Sequence, residues 1–188
     1  MRSDYNLVAK PPQDFSEPEI LDFMTLVRAG NEVGNVVLER NVRNAKCLVF
    51  GRQASCLVGV AALKNPLTSY RQDIESKAVV ALNDMEFPFE LGYVFVVPSA
   101  RLQGLAVKLC QAALSLAEWR GVFATARTNN DGMAVVLAKV GFSKAGQPYR
   151  SSRSDYRLQL FIRYATRQTV PADSHASNPA GRPPTVKR

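Results

Sequence analysis

The chain of 188 residues is 46% apolar, which suits one globular domain with a real core, and no window holds the roughly 18–20 consecutive apolar residues of a membrane span. Its formal net charge of +8 favours an anionic partner without distinguishing nucleic acid from a phosphorylated small molecule. The first residues carry an acid and two prolines instead of the apolar run of a secretory signal, so we expect a cytoplasmic protein with no membrane partner. The three cysteines, Cys47, Cys56 and Cys110, have no metal-type spacing, so we expect small buried side chains and no metal site.

The amino-terminal half predicts two helices followed by a hairpin. Residues 16–19, with the sequence SEPE, form a capping-box pattern that opens an amphipathic helix, which Gly30 can end. A second short helix is expected around residues 33–37. Two β-rich runs at residues 46–51 and 56–63 are joined by a polar link, and together they predict an antiparallel hairpin.

The second half alternates strands and helices after an excursion over residues 67–88 that has no strong period and is expected to be partly helical. A strand apolar on both faces and therefore central is predicted from Glu90 to Val97. The elements predicted after it are a helix with an apolar stripe from Leu105 to Trp119, a strand at residues 121–128, a short helix opened by Asn130 and a last strand at residues 155–163. This order predicts a mixed α/β fold, in which a sheet carries helices on both faces.

The composition changes near the carboxyl end. Residues 165–188 contain four prolines, small polar residues and few apolar ones, so they cannot bury enough surface to offset their ordering entropy. We therefore predict one domain over residues 1–164 and a flexible, basic, proline-rich tail over residues 165–188.

The stretch VVPSARLQGLAVKLC, residues 96–110, breaks a strand at Pro98 and enters a helix through a basic turn that contains glycine. A helix start exposes unpaired amides and the positive end of the helix dipole, and successive amides in a tight turn form a concave site for an anion. Gly104 lets a ligand approach the backbone closely, Ala106 keeps the next position small, and Arg101 adds a positive charge. The stretch predicts a site for a phosphorylated ligand that extends along the strand.

Two patterns together resemble the GNAT family of acyl-CoA-dependent N-acetyltransferases. The family's turn reads Q/R-x-x-G-x-G/A, which is Arg101-Leu-Gln-Gly104-Leu-Ala106 here, and a later segment with asparagine and Gly-Phe matches Asn130 to Phe142. The resemblance covers residues 90–161 well and the amino-terminal elements more loosely. It implies a mixed, largely antiparallel sheet with helices on both faces and a V-shaped splay between two central parallel strands.

The resemblance also implies a binding site for acetyl-CoA as co-substrate. The pantetheine arm would pair with the backbone of Val94 and Val96, and the Val94 amide would face the thioester oxygen. Asn130 would bind the arm or a water molecule, although it equally suits a helix N-cap. The pyrophosphate would lie on the main-chain amides of Leu102, Gln103, Gly104, Leu105 and Ala106, beside Arg101.

Amine acetylation needs a base, because an ammonium has no lone pair for attack. Glu90 is the candidate, since some family members keep a glutamate at this point and its apolar neighbours would favour a base near neutral pH; Glu86 is a poorer alternative. The family's usual tyrosine acid is replaced by Leu137, so Tyr93, Tyr149 and solvent remain open as the acid.

The sequence therefore predicts an N-acetyltransferase in which a primary amine attacks the thioester of acetyl-CoA directly, without a metal. The sequence does not choose the acceptor among small amines, peptide termini, lysine and charged tRNA. A homodimer is also compatible with the sequence. One alternative is a module of the same fold that binds acyl-CoA and catalyses nothing. Another is a nucleic-acid-binding protein that uses the positive charge, which would show steep salt dependence.

Overall fold

The computed structural model describes residues 4–30, 35–151 and 155–165. The predicted tail at 165–188 lies, except for its first residue, outside the described residues, as does the start of the second predicted helix at Val33. The elements are β1 (Asn6–Lys10), α1 (Glu17–Ala29), α2 (Asn35–Arg43), β2 (Cys47–Gln53), β3 (Cys56–Lys64), α3 (Thr68–Ala78), β4 (Phe89–Val96), α4 (Leu105–Leu114), β5 (Val122–Arg127), α5 (Asp131–Lys139), β6 (Ser143–Arg150) and β7 (Arg157–Arg163).

The seven strands form one sheet in the order β1-β2-β3-β4-β5-β7-β6. Every neighbouring pair is antiparallel except β4 and β5, which are parallel and central. The predicted hairpin is confirmed, because β2 and β3 pair over their full lengths. The mixed, largely antiparallel fold class is confirmed with it.

Alternating side chains of the strands build a core on each face of the sheet. In β5, Val122 and Ala124 join the cluster that packs under α4 and α5, whereas Phe123 between them joins the cluster under α3. In β2, Leu48 and Phe50 face α1 and α2. Helices therefore cover both faces, as the period-two pattern of the strands requires.

Local signals explain where the first helix begins. The capping box predicted from SEPE is present: the Ser16 amide donates to a carboxylate oxygen of Glu19 at 3.0 Å, and the Ser16 hydroxyl donates to the same oxygen at 2.9 Å. The helix then buries Ile20, Phe23 and Val27 against the sheet. No described helix has both the length and the apolar character needed to cross a membrane.

Three local expectations were wrong. β1 was not predicted, since a run of five residues, NLVAK, is too short to show a clear period. The apolar stripe predicted to reach Trp119 ends earlier, because Leu116 and Ala117 bond three residues back and Trp119 is left-handed (φ 64°) and 59% exposed. Cys56, expected to be buried, is exposed because it lies at the hairpin turn where β3 begins.

Candidate functional site

A cleft opens where the two central strands separate. β4 and β5 pair only at Phe89 with Val122 and at Glu90 with Phe123, although both strands continue beyond these positions. The gap that follows is a cleft of about 280 Å³, with walls from β3, β4, β5, α3 and the end of β6. The sheet therefore has the V-shaped splay that the resemblance to the GNAT family implied.

A bulge in β4 shapes one wall of this cleft. Val60 pairs with Phe95 and Ala62 with Gly92, so β4 contains one more residue than β3 between these two pairs. Tyr93 takes up the extra length in a left-handed conformation with φ of 54°, which is uncommon for a residue with a side chain. Backbone strain of this kind persists where the surroundings hold it, often at functional sites. Val94 and Val96, the predicted partners of an extended ligand, follow the bulge. They lie on the part of β4 whose edge toward β5 is unpaired.

The predicted anion turn lies just beyond β4. Leu102 and Gly104 are both left-handed, with φ of 61° and 80°. The first hydrogen bond of α4 runs from the Lys108 amide to the Gly104 carbonyl at 3.2 Å. The amides before Lys108 therefore take no part in the hydrogen bonds of the helix. A Cβ placed on Gly104 would have no atom within 4 Å, so the turn is open to a ligand. Main-chain amides in such a turn can accept an anion, and the binding of one here stays a prediction.

Two side chains hold the turn to its surroundings. The Arg101 Nε donates to the Val96 carbonyl at 2.9 Å, and its guanidinium lies 5.7 Å from the centre of the Phe95 ring. Gln103 accepts from the Tyr5 hydroxyl at 2.7 Å and donates to the Ser99 carbonyl at 3.2 Å. The turn is thus fixed before any ligand arrives, which lowers the ordering cost of binding.

Glu90 lies at the base of the splay and is 3% exposed. One carboxylate oxygen is 2.7 Å from the Nζ of Lys64, and the other accepts from the Tyr70 hydroxyl at 3.2 Å. The sequence predicted apolar surroundings, but the carboxylate has a cation and a phenol as its partners. Sequence reasoning missed Lys64 and Tyr70. Lys64 contacts Glu90 only because the register between β3 and β4 pairs the two residues.

No family model and no curated protein matches the sequence of the chain. Solved structures match its fold. A GNAT-family acetyltransferase from Streptococcus agalactiae 2603 has a TM-score of 0.62 at 14% identity, over 86% of this chain and 96% of that one. Escherichia coli ElaA has a TM-score of 0.61 at 13% identity, over 85% and 99% of the two chains. A chain of the NatC complex bound to Gag peptide and CoA has a TM-score of 0.61 at 15% identity, over 86% and 99%.

The chain has the GNAT fold. This confirms the resemblance stated on the turn and the Gly-Phe segment. The role of each site residue stays a prediction, because a similarity at these identities establishes the fold alone.

Tyr93 and Tyr149, the two tyrosines named as candidate acids, both line the cleft, together with Tyr70 and Tyr156. Leu137 lies on α5 and is fully buried in the core. The Tyr93 ring lies edge-on to Phe23 at 6.4 Å, with the Lys64 Nζ 4.8 Å from its centre. Burial and, after it, the charges of Glu90 and Asp73 raise the pKa of Tyr149, so its phenol stays protonated.

Asn130 opens α5 at the far wall of the cleft. Its side-chain oxygen accepts from the Met133 amide at 3.0 Å, which is the N-cap role that the sequence offered as one interpretation. Its amide nitrogen has no part in that bond, so a second role toward a ligand remains compatible with this geometry.

Proposed function

We propose that the protein is an acetyl-CoA-dependent N-acetyltransferase. The observation that carries the proposal is the coincidence of two features at one cleft: the splay between β4 and β5, and an open, amide-lined turn at the end of β4. An extended ligand with a diphosphate at one end fits that combination. The GNAT fold supports the same conclusion.

In this proposal the amides of residues 102–106 hold the pyrophosphate of acetyl-CoA, and Arg101 contributes a formal positive charge. The pantetheine arm pairs with the edge of β4 that β5 leaves open, at Val94 and at the amide of Val96, whose carbonyl already accepts from Arg101. Asn130 binds the arm from the opposite wall. The Val94 amide, next to the bulge, stabilises the negative charge that develops on the thioester oxygen.

The reaction is a direct transfer. The reaction passes through a tetrahedral intermediate: Glu90 removes one proton from the ammonium of the acceptor, and the amine nitrogen forms a bond to the acetyl carbon. As this intermediate collapses, the carbon–sulfur bond breaks and the nitrogen loses its second proton to solvent. The thiolate takes a proton from Tyr93 or from solvent. Positioning supplies much of the acceleration, and the base adds about 10²–10⁴-fold.

A coenzyme-binding module without catalysis is the second candidate, and the buried Leu137 at the usual tyrosine position favours it. Thiol release from acetyl-CoA, measured with small amines, peptides and aminoacyl-tRNA, separates the two. Release that depends on an amine supports the transferase. Coenzyme A binding without release in any reaction supports the module.

A further inference from the structure

The charges around Glu90 restrict the acceptor. Among the described residues of the cleft wall, four are cationic and two are anionic: Arg40, Lys64, Lys77 and Arg127 against Asp73 and Glu90. Both anions already have a cation of their own, since Lys64 lies 2.7 Å from Glu90 and Lys77 lies 2.8 Å from Asp73. An acceptor therefore meets a pocket with no surplus of negative charge among the described residues.

Lys64 is held in place beside the proposed base. Its side chain crosses Gly92, where an added Cβ would lie 2.7 Å from the lysine Cε. Its Nζ lies 4.8 Å from the centre of the Tyr93 ring, and the side chain is only 15% exposed. The fixed charge disfavours an acceptor that carries a second cationic group besides its reacting ammonium, and it attracts an anion carried by the same molecule.

Tyr149 provides a donor without a partner in the same pocket. The residue is 7% exposed, and no described residue hydrogen-bonds its hydroxyl. A buried hydroxyl without a partner carries a desolvation cost that a ligand oxygen can relieve. Because the phenol stays protonated, it can donate to a carboxylate.

We propose that the acceptor is an amine that carries a carboxylate a few bonds away, and that Lys64 and Tyr149 determine this specificity. A free amino acid has such an amine and carboxylate, and so does a peptide whose amino-terminal residue is acidic. The inference rests on the proposed acetyltransferase function and names the substrate class of the same site.

Matched acceptors test it through kcat/KM for thiol release at constant ionic strength. The free-acid arm compares alanine with alaninamide, in which an amide replaces the carboxylate, and the rates are expressed per unprotonated amine because the amide has the more acidic ammonium. The peptide arm compares Glu-Ala-Ala, Gln-Ala-Ala and Lys-Ala-Ala, all with amidated carboxyl ends. We expect at least about a tenfold preference for the anionic member in one arm, and that arm identifies the source of the carboxylate. Equal rates in both arms, or a preference for the cationic peptide, would overturn the inference.

Variants assign the preference to residues. Lys64→Met should reduce the preference to within about threefold, whereas Lys64→Arg, which keeps the charge, should retain most of it. Tyr149→Phe should raise KM for the anionic acceptor by about tenfold and leave KM for acetyl-CoA unchanged. Lys46→Met is the matched control, because Lys46 pairs with Glu118 away from the cleft.

The outcomes separate the inference from the function on which it rests. Turnover without a charge preference contradicts the inference alone. If none of the amines gives thiol release, the proposed function is contradicted, and the inference with it. Should Lys64→Met fail to fold, the wild-type comparison and Lys64→Arg still decide.

Discussion

Replacing Glu90 with glutamine changes one atom type at the base of the splay and keeps the shape of the side chain. The amide oxygen of the new side chain can still accept from Lys64 or Tyr70, but it cannot take a proton from an ammonium. We expect kcat to fall by about 10²–10⁴-fold, while KM for acetyl-CoA changes little, since the coenzyme is bound by the distant turn.

The cost to stability is bounded by the ion pair. At the Lys64–Glu90 separation of 2.7 Å, the Coulomb attraction is about 6 kcal/mol with an effective dielectric constant of ~20, and desolvation of both groups offsets much of it. Breaking a fully buried pair costs about 3–5 kcal/mol. The Lys64 side chain lines the cleft and keeps 15% of its surface exposed, so a cost of about 2 kcal/mol is expected, which lowers Tm by about 4–8 °C.

The two effects are measured separately. Steady-state thiol release gives kcat and KM, and thermal unfolding gives Tm for the same preparation. Glu86→Gln is the matched control, because it is the same substitution at the alternative base that the sequence offered, which is exposed and is not among the residues that line the cleft. A Glu90→Gln protein that is folded and retains more than half of the wild-type kcat would remove Glu90 from the mechanism.

Other parts of the structure lead to three more predictions. Gly104→Asp should raise the Kd of coenzyme A about tenfold above that of Gly104→Asn, because both side chains tolerate a left-handed backbone and only one adds a negative charge at the proposed anion site; equal values would argue against an anion there. Phe123→Ala should lower the free energy of unfolding by about 3–5 kcal/mol in denaturant titrations, because the ring is fully buried under α3, and a cost below about 1 kcal/mol would contradict that packing. At pH 8 a thiol reagent should label Cys56 first, because burial raises the pKa of Cys47 and brings that of Cys110 to about 12, which keeps both as unreactive thiols; mass spectrometry showing early labelling of Cys110 would refute this.

The sequence predicted the parts of the fold that local patterns determine. The capping box, the hairpin and the glycine turn are each set by residues within a few positions of one another, so they could be recognised without the sheet. β1 could not, because five residues become a strand only by pairing with the edge of β2.

The candidate site divides in the same way. Glu90, the turn and Asn130 were named because they lie on recognisable segments. Lys64, Tyr70 and Tyr149 come from β3, α3 and β6, and they meet only after the sheet has formed. The register between β3 and β4 depends on the bulge at Tyr93, which no local signal in the sequence reveals.

Calorimetric titration of coenzyme A into the full chain measures whether the main-chain amides after β4 hold a diphosphate. We expect one binding event per chain with a Kd below about 1 mM, weakened by Gly104→Asp. The absence of binding heat at several temperatures, with the protein folded, would contradict it.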